Sequence, residues 1–264
     1  MPISTPARCS QRVGSAAMSS TRGLLADVIP SSAVDGPGNR WVVFLQGCSF
    51  DCLACHNPQT ICRRATARSR WVDVETMVRG IGDAAPCLSG VTVSGGEATV
   101  QWEFVHELFR RLGSSAATSH LTFLVDTNGD AEPFVWDTLA PVMDGAMVDL
   151  KAIDPDVHHH LTGHSNERVL ASLRQLDRLD RLTEVRLLIV PGVNDRPDHV
   201  RATGELLAGL SVPPPVRLLA FRHDGTREVA RRFTEATPDH LAAVAAILEP
   251  FGLDLQRPAS SSAR

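Results

Sequence analysis

Apolar residues recur along this chain with two alternating periods. Short apolar runs at Trp41 to Leu45, Val91 to Val93, Leu121 to Val125, Ala146 to Val148, Val185 to Val190 and Val216 to Leu219 predict buried strands. Between and after them, segments with the ~3.6-residue apolar period of a helix face the same way each turn. These are Val74 to Ile81, opening after Asp73, then Trp102 to Leu112, Phe134 to Leu139, Leu170 to Leu179, His199 to Leu210 and Leu241 to Leu248. Strand and helix alternate as in a parallel α/β sheet. About six βα units fit an open partial (β/α)6 TIM-like barrel, while a doubly wound sheet shares the local pattern. The polar positions favour the barrel. Gly47-Cys48, Ser94-Gly95-Gly96-Glu97, Asp126-Thr127-Asn128-Gly129, Asp149-Leu150-Lys151 and Pro191-Gly192 follow strand after strand. In a parallel barrel all of them reach one rim, where active sites are built. Two stretches lie outside the alternation: a turn segment from Pro30 through Asp35-Gly36-Pro37-Gly38, and the short, basic, irregular residues 61 to 70.

Composition changes this picture at its ends. Residues 1 to 22, rich in Ser, Ala and Arg without an apolar period, read as a disordered tail, with Met18 as an alternative start. Residues 258 to 264 read as a second tail, leaving one domain over 23 to 257. The net charge of -4 over 264 residues offers no electrostatic reason to bind nucleic acid or an anionic membrane. No run approaches the ~18 apolar residues of a membrane span, and residues 2 to 22 lack the apolar core of a secretory signal. A cytoplasmic protein is expected. Six cysteines in such a chain point to metal or redox chemistry rather than disulfides. Every basic residue but one is arginine, and the single lysine is Lys151.

Three of the cysteines are clustered. Cys48-x3-Cys52-x2-Cys55 places three thiolates in one short loop, close enough to cap three irons of a cubane [4Fe-4S] cluster. An incomplete ligand set leaves the fourth iron open to a substrate, by the logic that separates catalytic from structural metal sites. The alternative is a zinc site completed by His56 or Cys62, although no second cysteine pair is present. His158, His159 and His160 are consecutive, so on a helix they diverge and read as a solvated face.

The loop Gln46-Gly47-Cys48-Ser49-Phe50-Asp51-Cys52-Leu53-Ala54-Cys55-His56-Asn57-Pro58 resembles the cluster loop of the glycyl radical enzyme activating enzymes, the radical S-adenosylmethionine family of the pyruvate formate-lyase activator. Asp35 to Arg40, Val93 to Ala98, Asp126 to Gly129, Met147 to Lys151 and Val190 to Gly192 match in family order, so the resemblance spans about residues 24 to 255. Within it, Ala33 to Gly38, Leu124 to Asp126 and Arg217 to Phe221 look most like the YjjW-type branch.

The resemblance implies anaerobic chemistry in which a reduced cluster cleaves S-adenosylmethionine and the 5'-deoxyadenosyl radical takes a glycine Cα hydrogen from a partner glycyl radical enzyme. It implies flavodoxin or ferredoxin as electron donor. It assigns Gly95, Gly96 and Glu97 to the methionine part of S-adenosylmethionine, where glycines admit a ligand closely and the carboxylate attracts an ammonium; otherwise Gly-Gly is a tight turn. Asp126, Thr127 and Asp149 are implied as further contacts, beside a monovalent cation, with helix capping as the alternative. Lys151 balances Asp149 or the ligand carboxylate unless it is merely solvated. Arg186, an arginine in an apolar strand, is implied near the ligand; a structural pair with Glu184 or a helix carboxylate is the lesser expectation, on the ground that neighbours on a strand face opposite ways. Asp35 is implied to touch the partner's glycine loop or else to make a turn. His223, or Arg222 one position earlier, matches a family histidine after a strand. Ala54 departs from the family, which often has an aromatic residue there. Residues 59 to 70 contain only Cys62, so one cluster is expected. Two rivals remain: a radical enzyme acting on a small molecule such as a deazapurine, and a non-catalytic zinc-binding protein.

Overall fold

The computed structural model describes residues 21–256, so Met18, Cys9 and the two end segments fall outside the described residues. One sheet organises the chain. Its strands are β1 (Arg22–Ser32), β2 (Arg40–Leu45), β3 (Arg70–Asp73), β4 (Gly90–Gly95), β5 (Thr122–Thr127), β6 (Gly145–Asp149), β7 (Leu182–Ile189), β8 (Val216–Ala220) and β9 (Leu255–Gln256), in spatial order β3-β1-β2-β4-β5-β6-β7-β8-β9. From β2 onward every pairing is parallel. The helices are α1 (Val74–Ala84), α2 (Trp102–Gly113), α3 (Pro133–Leu139), α4 (Pro155–Thr162), α5 (Glu167–Arg178), α6 (Pro197–Ala208) and α7 (Pro238–Leu248). Each of β2 and β4 to β8 is followed by a helix before the next parallel strand, which makes the six expected βα units. The strand order never reverses, as it would in a doubly wound sheet. The sheet ends at β3 and β9 without closing.

Alternation along the strands divides the sheet into two chemically different faces. Val43, Leu45, Val91, Val93, Val125, Val148, Val185 and Leu187 point one way and pack with the helices into the main core. In α2, Phe104, Val105, Leu108, Phe109 and Leu112 supply the buried stripe; in α1, Val74, Met77 and Ile81 do so, after Asp73 caps the helix by accepting from Thr76 N. The opposite, concave face carries Ser94, Asp126, Asp149, Glu184 and Arg186.

β1 and β3 were not expected. β1 occupies the stretch read as the end of a tail and the start of a turn, so Arg22 belongs to a strand. It pairs antiparallel with both β2 and β3. Pro30, which lacks an N–H, sits where the β1–β2 register is irregular, between Ile29 and Ser32. Pro30 and the charged Arg22 and Asp27 in an eleven-residue strand hide it from a search for apolar runs.

Candidate active site

The cysteine loop leaves β2 through Gly47, whose φ of +105 lies in the region that favours glycine. It is tied on both flanks. On one side Gly47 N donates to Thr60 O and Cys48 N to Ile61 O, while Gln46 Nε2 donates to Gln59 O and Cys62 O. On the other, Asp51 N and Leu53 N donate to Thr162 O and Leu161 O at the end of α4. Phe50 anchors the middle, stacked on His164 and edge-on to His158.

So held, Cys48, Cys52 and Cys55 line one cavity of about 190 Å³ together with Ser94 to Glu97, Asp126 to Asn128, Asp149 and Lys151. Burial pushes the Cys48 thiol up to about 12, with the Glu97 carboxylate adding to it, and pushes Cys52 up to about 11. Cys55 moves the same way for the same reason. Cys62 and Cys87 are exposed and lie outside the cavity.

The glycines have a more local task than ligand approach. A Cβ on Gly95 would stand 2.2 Å from Leu45 N and O, and one on Gly96 2.3 Å from Gly47 O. They let the end of β4 lie against the cysteine loop, where Gly96 N donates to Leu45 O and Glu97 N to Gly47 O. Glu97 is buried, and four protein donors meet its carboxylate: Thr99 N, Thr99 Oγ1 and Thr127 Oγ1 on Oε1, and Asn128 N on Oε2. Burial raises its pKa against those donors. Its carboxylate thus holds the β5 loop in place besides adding negative charge to the cavity wall.

Asn128 follows from that. Its Oδ1 accepts from Asp130 N at 2.8 Å, which turns Nδ2 toward Cys48 Sγ at 3.7 Å and Ser49 Oγ at 3.1 Å. Next to it, Asp126 accepts from Ser94 Oγ and pairs with Arg186 at 2.9 Å; Asp149 pairs with Lys151 at 2.7 Å. Burial raises the Asp126 pKa, Arg186 opposing it. Burial disfavours charge on Lys151 too, but the Asp149 carboxylate, which also accepts its hydrogen bond, and the cysteine sulfurs once ionised outweigh it and raise the lysine's pKa. Asp126 and Asp149 already have side-chain cations, so side chains alone do not assemble the cation site expected there.

A profile of the Radical SAM superfamily matches residues 42–203. The chain is 37% identical over 211 residues to the pyruvate formate-lyase-activating enzyme of Streptococcus mutans, covering 77% of this chain and 79% of the relative. The chain belongs to the pyruvate formate-lyase-activating enzyme family of radical SAM proteins. Among solved structures, a domain of a pyruvate-formate lyase-activating enzyme from Bacteroides vulgatus superimposes with TM-score 0.56 at 25% identity, over 64% of this chain and 99% of that one. A radical SAM methyltransferase from Sphaerobacter thermophilus shares the fold, with TM-score 0.65 and 20% identity over 83% and 66% of the two chains.

Enzymes of this superfamily use a [4Fe-4S] cluster and S-adenosylmethionine. The residues of this family member fit that pair. A single zinc ion would draw three sulfurs to about 3.8 Å of one another, given ~2.3 Å Zn–S bonds. Among the described residues no three His, Cys, Asp or Glu donors converge in this way. Three thiols that line one cavity without converging on a point suit a larger cluster. The same cavity is lined by charged Asp126, Asp149 and Lys151 and by apolar Ala54, Leu161, Leu188 and Val190, as an amino acid joined to a nucleoside requires.

Several expected residues stand elsewhere. Arg186 does not line the cavity; its Nε bonds Glu184 Oε1 at 2.6 Å, and Arg217 joins Glu184 from β8 at 2.9 Å. The expectation against a Glu184 pair was wrong because residues two apart on a strand share a face. His223 also misses the cavity. Residues 221 to 236 fold back on themselves, through Ala236 N to Phe221 O, and the His223 ring contacts Phe233 O and Glu235. His56 takes the lining position instead, 3.0 Å from Arg222 O. Asp35 lies outside the cavity, accepting from Ser32 Oγ and, through its carbonyl, from Thr92 Oγ1. The three histidines are not one solvated face, since His158 is buried while His159 and His160 are exposed. Asn194, not singled out beforehand, fixes the rim by donating to Lys151 O and Leu188 O.

Proposed function

We propose that the chain activates a glycyl radical enzyme, with Cys48, Cys52 and Cys55 holding the cluster and Gly95, Gly96, Glu97, Asp126, Thr127, Asp149 and Lys151 lining the S-adenosylmethionine site. What carries this reading is one observation: three thiols of one loop line the same cavity as the Asp149–Lys151 pair, Asp126 and the apolar Ala54, Leu161, Leu188 and Val190. When bound, the cluster and S-adenosylmethionine supply one-electron reductive cleavage and a carbon radical that takes hydrogen from an unactivated C–H bond.

The chain supplies the rest. Three cysteines would hold the cluster and leave it an open position for substrate, and Asp149 and Lys151 would complement the charges of an amino acid's ammonium and carboxylate. Arg186 acts as a positioning residue, fixing Asp126 from behind. Leu161, Leu188 and Val190, with Ala54, give the purine an apolar wall in place of an aromatic one and exclude water. Asn128 donates to the Cys48 sulfur, and hydrogen bonds to cluster sulfurs tune the potential. The hydrogen comes from a glycine Cα of the partner, with Asp35 contacting the partner's loop, and the electron from flavodoxin or ferredoxin. Within the family we place the chain in the YjjW-type branch.

Anaerobic reconstitution with iron and sulfide tests the ligand set. Alanine at Cys48, Cys52 or Cys55 should abolish the cluster, and alanine at Cys9, Cys62 and Cys87 together should preserve it. Iron lost from the folded triple variant, or retained without Cys48, would overturn the assignment.

A further inference from the structure

The electron that starts the reaction must reach the cluster from another protein, and the surface beside the cysteine loop has an unusual charge. Residues 61 to 70 carry four arginines, Arg63, Arg64, Arg68 and Arg70, and no acidic residue, in a chain whose net charge is -4. All four are exposed. None is within salt-bridge distance of a carboxylate among the described residues. Two arginines on the other side of the cysteine loop are engaged by the chain itself: Arg227 pairs with Asp51, and Arg222 donates to Ala236 O.

This segment is also fastened to the cysteine loop. Cys48 N donates to Ile61 O at 3.1 Å, and Arg63 Nε donates to Cys48 O at 2.9 Å. A groove of about 600 Å³ runs beside it, between Ile29 and Phe44 on one side and Gln59 and Arg68 on the other, and Asp27 is its one carboxylate. Asn57 lines both this groove and the cysteine cavity. A protein seated here would rest within one hydrogen-bonded layer of Cys48.

We propose that the arginine segment 61 to 70 and the adjoining groove are the docking surface for one partner, the acidic one-electron carrier protein that reduces the cluster. The proposal rests on the reading that Cys48, Cys52 and Cys55 hold a cluster. Unpaired exposed cations raise the encounter rate with an acidic partner and lose that advantage beyond a Debye length of about 8 Å at physiological salt. One electron moves from donor to cluster, and no atom is transferred.

The test compares the reconstituted full chain with its Arg64→Glu/Arg68→Glu variant, with cluster reduction followed by stopped-flow bleaching. Reduced flavodoxin and reduced ferredoxin serve as donors in separate arms, with dithionite as a small-molecule control. The charge reversal should slow the protein-driven reduction about tenfold at low ionic strength and flatten its salt dependence, for at least one donor. Iron content and dithionite reduction should stay unchanged, and Arg64→Lys/Arg68→Lys should behave as the parent. Parental rates and salt slope with both donors would overturn the proposal. So would a loss confined to glycyl radical formation after chemical reduction, which would assign the surface to the radical-accepting partner. If the parent chain binds no iron or sulfide, the cluster reading fails first, and visibly, before any donor is added.

Discussion

Asn128 shows how one residue at this site is fixed by several others. Asp130 N occupies its Oδ1 and Glu97 its backbone N–H, so its amide N–H can only face Cys48 and Ser49. Removing that donor should make the reduced cluster less favourable. Asn128→Ala is therefore expected to lower the midpoint potential while keeping iron content, which an EPR-monitored redox titration measures; an unchanged potential would show that the contact does no tuning. Glu97 is expected to be structural as well as functional. Glu97→Ala strands buried donors on Thr99, Thr127 and Asn128, at a cost of roughly 3 kcal/mol in urea unfolding of the cluster-free chain. His158 gives a pH effect of definite sign. Burial lowers its pKa from 6.5 to about 4, so the unfolded chain takes up the proton first. Its contribution is complete above pH 6.5 and is lost as pH falls toward 4, on the order of 1 to 3 kcal/mol, and His158→Leu should remove that loss in a pH series of unfolding curves. The cysteines were legible because spacing along the chain carried them. The roles of Glu184 and His158 were not, because they depend on which face a strand or helix turns inward, and that of His56 was not, because it depends on how the loop after β2 meets Arg222.

At the scale of elements, six of the parallel strands, β2 and β4 to β8, were readable because each is an apolar run with a glycine or polar residue at or just beyond its end; the two-residue β9 is too short to show one. β1 and β3 were not readable, since β1 is held by pairing with β2 and β3 by pairing with β1 rather than by their own composition. The loop after β4 was read as a ligand cradle, whereas its glycines first serve contact with the loop after β2. Gly96→Ala places a methyl on Gly47 O, a backbone atom that cannot yield as a side chain does. The variant should fold with its strands intact by circular dichroism yet bind less than half the parental iron after reconstitution. Full iron loading would show that the β4 loop and the cysteine loop are not mechanically joined.

For the whole molecule, an open sheet with helices on one face leaves its concave face to polar chemistry, and its strand ends bring residues far apart in sequence to one cavity. A sheet that does not close suits a substrate that is a loop of another protein, since such a loop enters from the side. The most direct test of the activase reading follows the hydrogen itself. Reduced, reconstituted chain is incubated anaerobically with S-adenosylmethionine and a candidate glycyl radical enzyme carrying deuterium at the acceptor glycine Cα. The account predicts a glycyl radical signal in EPR and deuterium in the deoxyadenosine recovered; deoxyadenosine that stays unlabelled with every candidate partner, while a labelled small metabolite passes its deuterium on, would contradict it.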